Sequence, residues 1–199
     1  MRKTSRSSMV ILAALAFGAC GMMGSSNDTM SSQQSRSMAK NQAVAEMKAR
    51  DASPEARLLG FLNLANKDDL ESGRLAQERG GSMAVKTYGR QMETDHMQML
   101  EDSERAAKRL DVLPAMGPET QPLTQGHAKA VQKLQAASGK EFDRLYLSHE
   151  IEMHKQVLQT AASLAGQTRN AELKEMVASA RPLLEAHLKA AQRLMNEQQ

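Results

Sequence analysis

Apolar residues recur at spacings of three, four and seven through residues 53–199, which is the period of amphipathic α-helices. No segment alternates at period two with β-branched residues, so strands are not expected. Together with capping residues, glycines and prolines, the pattern predicts helices over about residues 54–79, 83–110, 125–137, 139–165 and 171–196.

Local signals set the expected ends of these helices. Ser53, Ser82 and Asn170 are typical N-caps, and Ser138 with Glu141 three residues later predicts a capping box. Gly166 is expected to end the fourth helix, and the internal Pro182 of the last helix predicts a kink about one turn before His187.

Connection lengths predict the fold class. About two residues join the first two helices and about four join the last two, so each pair is expected to form an antiparallel hairpin. About 30 residues, including the short helix, separate the two hairpins, which permits a crossover along the bundle. We therefore expect an all-α, ferritin-like four-helix bundle over 51–199, with a short extra helix in the long connection between the second and third long helices.

Each long helix also places an acidic or histidine side chain inside its apolar stripe. An unsatisfied buried polar group costs about 1–3 kcal/mol, so these side chains should meet one another, a water or a metal ion. Residue counts from the turns put them at similar depths along the bundle, within about 5 Å for the pairs compared. The candidate site residues are Asp68, Glu71, His96, Glu150, His154 and His187.

Ligand spacing excludes the carboxylate-bridged di-iron template. That template needs Glu-x-x-His on two helices, and Glu93 with His96 fits it. Leu184 occupies the glutamate position three residues before His187, and Glu150 and His154 are four residues apart instead of three. A di-iron oxidase is therefore not expected.

Two interpretations of the cluster remain open. In one, His96, His154 and His187 with Glu71, Asp68 or Glu150 bind a single zinc, iron(II), manganese or copper ion. In the other, which the sequence favours, the same groups pair internally, for instance Asp68 with His96 and Glu150 with His187, in a structural or partner-binding protein without catalytic activity. His127 and His149 are expected to be solvated.

The N-terminal residues predict export and a lipid anchor. Arg2, Lys3 and Arg6 precede an apolar run from Met9 to Ala19, which is long enough for a signal peptide and too short for a membrane span. Cys20 is the only cysteine and follows small residues, an arrangement that resembles the bacterial lipobox. We expect a signal peptide over 1–19, lipidation of Cys20, and, because Gly21 follows it, an outer-membrane location facing the periplasm.

Composition then narrows the function classes. Residues 21–50 contain six serines and no Leu, Ile, Phe, Tyr or Trp, so 20–50 is expected to be a lipidated cysteine with a flexible tether. The three basic residues of the signal account for the whole charge excess and leave 23 acidic and 23 basic residues in the rest of the chain. A neutral chain with four aromatic residues beyond the signal gives no case for nucleic-acid binding, so the expected partners are the membrane, through Cys20, and an unidentified protein.

The motifs around the candidate residues resemble those of the bacterial domain of unknown function 4142, a family classed as ferritin-like. The resemblance covers about Arg57 to Leu194. It implies a helical bundle in exported, often lipid-anchored proteins, without an established activity, and it matches the family's Asp-His pair to Asp95 and His96 and its C-terminal histidines to His154 and His187. It rests on Phe61-Leu62 with Glu71, on YGRQMETDH from Tyr88 to His96, on Phe142 to Leu147 with His154, and on Pro182 to Leu188.

Overall fold

The structure is a computed structural model of the 199-residue chain, and it describes residues 36–38, 40 and 52–198. Residues 36–38 and 40 are helical and belong to a unit separate from residues 41–199. The predicted signal peptide over 1–19, Cys20 and most of the predicted tether over 20–50 lie outside the described residues.

The domain is all-helical across 52–198, as predicted, and forms an all-α bundle. No helix in this part of the chain combines the length and apolarity needed to cross a membrane. The helices are α1 (Pro54–Arg79), α2 (Met83–Leu110), α3 (Thr120–Ala136), α4 (Gly139–Gln167) and α5 (Ala171–Glu197).

Three of the predicted caps are confirmed. The Ser53 and Ser82 hydroxyls accept hydrogen bonds from the backbone N–H groups of Ala56 and Val85, at 3.1 and 3.2 Å. The Asn170 side chain accepts from the third residue of α5 in the same way. Each of these bonds satisfies a backbone donor that the first turn of a helix leaves free, which explains why α1, α2 and α5 begin where they do.

The capping box at Ser138 is wrong, because the Ser138 side chain makes no cap hydrogen bond and Glu141 instead pairs with Arg144 at 2.9 Å. Two other bounds also differ. Helix α4 continues through Gly166 to Gln167, and α3 begins at Thr120, five residues earlier than expected. The early start is possible because Pro122 lies in the first turn, where a backbone N–H has no helical partner to lose.

The long connection crosses the whole length of the bundle. Arg57, at the start of α1, bonds Glu119 just before α3, whereas Arg79, at the end of α1, bonds the carbonyls of Gln135 and Ala137. Helix α3 therefore runs parallel to α1, packed on α1 and α4, and returns the chain to the end where α2 begins. Each hairpin helix contacts one helix of the other hairpin, α1 with α4 and α2 with α5.

A close approach of α1 and α2 depends on two glycines. A Cβ added at Gly73 would lie 2.8 Å from the Gly89 carbonyl oxygen, and one added at Gly89 would lie 2.7 Å from that of Gly73. Both distances are too short for a side chain, so the backbones meet directly at this level.

A polar layer divides the core near mid-bundle. Phe61, Leu164 and Leu184 belong to one apolar cluster and Met92 and Phe142 to the other. His96, His154 and His187 each lie along their helix between residues of the two clusters, so they form the layer between them. The three histidines of this layer are buried.

Candidate metal centre

Three histidines from three helices converge in the polar layer, and we call them the histidine centre: His96 of α2, His154 of α4 and His187 of α5. Each is 1 % exposed, and their ring centroids are 5.4–5.5 Å apart, close to an equilateral triangle. One ligand nitrogen from each ring lies within 4.8 Å of the other two. The sequence placed all three on inward faces, and the structure brings all three together.

Each ring is oriented by a hydrogen bond at the nitrogen that points away from the centre. His154 Nδ1 lies 2.9 Å from the Glu150 carbonyl oxygen, and His187 Nε2 lies 2.9 Å from Asp95 Oδ2. His96 Nδ1 lies 2.9 Å from Asn66 Oδ1. These oxygens accept hydrogen bonds, so each of the three outward nitrogens carries the proton.

The nitrogens that face the centre have no hydrogen-bond partner within the described part of the chain. They are His96 Nε2, His154 Nε2 and His187 Nδ1, and all three are buried. Burial lowers the pKa of His154 to about 3, and it lowers the pKa values of His96 and His187, with neighbouring histidines adding to the effect at His96. At neutral pH each ring is therefore uncharged and presents a lone pair, which is the form that binds a metal.

A buried acid pair, Asp69 and Glu150, adjoins the histidine centre. Glu150 is fully buried and accepts a hydrogen bond from the Ser72 hydroxyl at 2.8 Å, and its Oε2 lies 3.6 Å from His154 Nδ1. Burial raises the pKa of both carboxyl groups, and the charge of Glu150 raises that of Asp69 further. Asp69, Glu150 and His154 place ligand atoms within 4.8 Å of one another.

Asp68 and Glu71 lie elsewhere, in a group that we call the outer cluster: Asp68, Glu71, His127 and His149. His127 Nε2 is 3.1 Å from Glu71 Oε2 and 3.9 Å from Asp68 Oδ1, and His127 Nδ1 is 3.2 Å from His149 Nε2. His127 is 7 % exposed, so the expectation that it is solvated is wrong. The cause is α3, which packs His127 against α1 and α4.

The internal pairings expected from sequence are also wrong. His96 bonds Asn66 instead of Asp68, and His187 bonds Asp95 instead of Glu150. Glu93, the one fitting member of the di-iron spacing, turns away from the centre and accepts hydrogen bonds from Arg74 and Gln77.

Comparison with known families places the chain. The family model described as Domain of unknown function (DUF4142) matches residues 37–194. The chain belongs to this family. No curated protein and no solved structure matches the chain. The matched range of the DUF4142 domain includes the histidine centre, the acid pair and the outer cluster.

Two residues next to the histidine centre of this DUF4142 domain, Asn66 and Asp69, were not predicted from the sequence. Asp69 belongs to a stripe of small residues at i, i+4, i+7 and i+11, formed by Ala65, Asp69, Ser72 and Ala76, and all four are buried. A search for small residues at helical spacing would have identified this face, because small side chains let neighbouring helices approach. The stripe of larger residues on α1 that includes Asp68 lies to one side of the centre, near His127.

Proposed function

We propose that the DUF4142 domain of this chain binds one divalent transition-metal ion through His96, His154 and His187. One observation carries the proposal: each ring aims an unpartnered, buried nitrogen at the same point, while its opposite nitrogen is held by an acceptor. An internal polar network without a metal was the favoured sequence interpretation, but it leaves three buried nitrogens unsatisfied. Buried polar groups in native proteins almost always have a partner.

The ligand types favour zinc, iron(II) or copper(II) over magnesium or calcium. Neutral imidazoles suit the later transition metals, whereas magnesium and calcium require oxygen ligands. Three histidines occupy three positions of a tetrahedral ion and leave a fourth for water, a carboxylate or an added ligand.

The outer hydrogen bonds support the same proposal. Metal-binding histidines usually donate their second N–H to a carboxylate, a carbonyl or a water, which fixes the ring and raises its basicity. Here Asp95, the Glu150 carbonyl and the Asn66 amide oxygen act in this way, one for each ring. The rings are therefore oriented for coordination before any ion arrives.

Elemental analysis tests the proposal directly. The full chain carrying Cys20→Ala, which removes the expected lipid anchor, should retain about one zinc, iron(II) or copper ion per chain after loading and desalting. His154→Ala should reduce retention to less than about a tenth, since only two imidazoles remain. His127→Ala is the matched control, because it removes a buried histidine of the outer cluster and should leave the metal content unchanged.

Two results would overturn it. One is wild-type protein that retains none of the ions and shows no thermal shift with zinc, iron(II), manganese or copper. The other is equal loss of metal in His127→Ala and His154→Ala.

We further propose that the domain is ferritin-like and acts in the cell envelope, exported by residues 1–19 and anchored through Cys20 to the outer membrane. The basic residues before the apolar run and the lone cysteine after it support this location. Cys20→Ala should move the protein from the membrane fraction to the soluble envelope fraction. Unchanged fractionation would refute the anchor.

A further inference from the structure

An elongated cavity of about 580 Å³ opens between α2 and α5, beside the histidine centre. Pockets of about 300–1,000 Å³ are the size that binds small organic molecules. Most of its wall is apolar, and the most buried apolar residues of the wall are Ala65, Val157 and Leu184. Leu183, also in the wall, is 37 % exposed at the mouth.

The shape of the cavity fits a chain-like ligand. Its wall runs from Glu172 to Leu184 on α5 and from Asp95 to Arg109 on α2. At 1.5 Å per residue these stretches are about 18 and 21 Å long, so the cavity is a groove along the bundle axis. An extended alkyl chain can lie in such a groove and contact apolar side chains along its length.

The charged residues that line the cavity are predominantly acidic. Four carboxylates and one guanidinium, that of Arg109, line the cavity. Arg109 pairs with Glu172, and Asp102 pairs with Arg105. Glu175 has no basic partner among the described residues, so the Glu175 end of the groove attracts a cation and repels an anion. Asp95, which bonds His187, lies at the opposite end, near Leu184.

We propose that this groove binds a single-chain cationic amphiphile, with its head at Glu175 and its alkyl chain running toward Leu184. Between these two residues α5 advances about 14 Å, which leaves the head at the solvent and the chain against the apolar wall. None of the three histidines lines the groove, whereas Asn66 and Asp95, which bond His96 and His187, do.

Two surfactants with the same chain length and opposite charge test the proposal. Dodecyltrimethylammonium and dodecanoate, each below its micelle range, are titrated calorimetrically into the metal-free full chain carrying Cys20→Ala. The cation should bind saturably at one molecule per chain, and the anion at least about tenfold more weakly, because the Glu175 carboxylate has no basic partner among the described residues. Equal binding of both surfactants, or no saturable binding of the cation, would overturn the proposal.

Matched variants locate the site. Ala180→Phe places a ring in the groove and should remove saturable binding, whereas Ala178→Phe, on the exposed side of the same helix, should not. Glu175→Gln should reduce the preference for the cation about fivefold, while Glu152→Gln, an exposed carboxylate on α4, should leave it unchanged. Circular dichroism checks that Ala180→Phe is folded, and the Glu175→Gln result decides the site without any change in packing.

Discussion

The histidine centre and the outer cluster both contain histidines and differ in where the ring nitrogens point. In the outer cluster, both nitrogens of His127 face protein groups, Glu71 on one side and His149 on the other. In the histidine centre, every ring has one bonded nitrogen and one buried nitrogen without a partner among residues 52–198. Metal-binding potential therefore depends on lone-pair direction more than on the number of histidines and carboxylates.

The two clusters also differ in which helices they connect. The outer cluster joins α3 to α1 and α4, so it fastens the crossover helix to the bundle. The histidine centre lies between apolar layers and joins the two hairpins, where an unpartnered nitrogen is costly. An ion bound at the centre would stabilise the interface between the hairpins. An ion at the outer cluster would add little stability, because both nitrogens of His127 already face protein groups.

The largest expected effect separates the clusters through metal-linked stability. A metal at about 1,000 times its dissociation constant adds about 4 kcal/mol to the free energy of unfolding, which for a chain of this size raises Tm by about 8–16 °C. All variants carry Cys20→Ala. Thermal unfolding with and without metal should show this shift in that parent chain and also in its His127→Ala variant. The His96→Ala variant should show none, and a full shift in that variant would contradict the proposed ligand set.

A smaller effect concerns pH, where the two clusters differ in sign. Burial raises the pKa of Asp68 to about 6; the charge of His127 opposes this rise, and the charge of Glu71 adds to it. A raised carboxyl pKa stabilises the fold below the unfolded value near 4, and this stability is lost as pH rises through 6. At His154 the pKa is lowered to about 3, so stability is lost as pH falls from about 6.5 toward 3.

Asp68→Asn tests the outer part of this contrast. The free energy of unfolding of the variant minus that of wild type should rise by about 1–3 kcal/mol as the pH rises from 4 to 7. The reason is that the variant lacks a carboxylate that is costly to ionise. Urea unfolding at several pH values measures this difference. A difference between variant and wild type that does not change with pH would show that Asp68 titrates normally.

The sequence predicted the fold more completely than the site, and the reason is the range of the signals. Caps and glycines are local, so the bounds of α2 and the start of α1 were predicted correctly. Periodicity placed His96, His154 and His187 inward. The destination of Asp68 and Glu71 depends on where α3 docks, and the role of Asn66 depends on the rotation of α1 against α2. Neither the docking of α3 nor this rotation can be predicted from a local sequence pattern.

The smallest expected effect tests the outer hydrogen bonds of the rings. Asp95→Ala leaves all three histidines in place but removes the acceptor of His187, and it should weaken metal affinity by about 10–100-fold. Glu71→Ala removes the equivalent acceptor of His127 and should not change the affinity. Competition with a chelating indicator measures both, and equal weakening would mean that the two carboxylates act only through general charge.

The distribution of the ligands along the chain has a consequence for when a metal can be acquired. His96 comes from the α1–α2 hairpin, whereas His154 and His187 come from the α4–α5 hairpin, and the long connection separates them. An unfolded or half-folded chain cannot assemble the site. If the chain folds only after export, an ion bound at this site is selected by the metals available where folding finishes, and not by those of the compartment in which the chain is made.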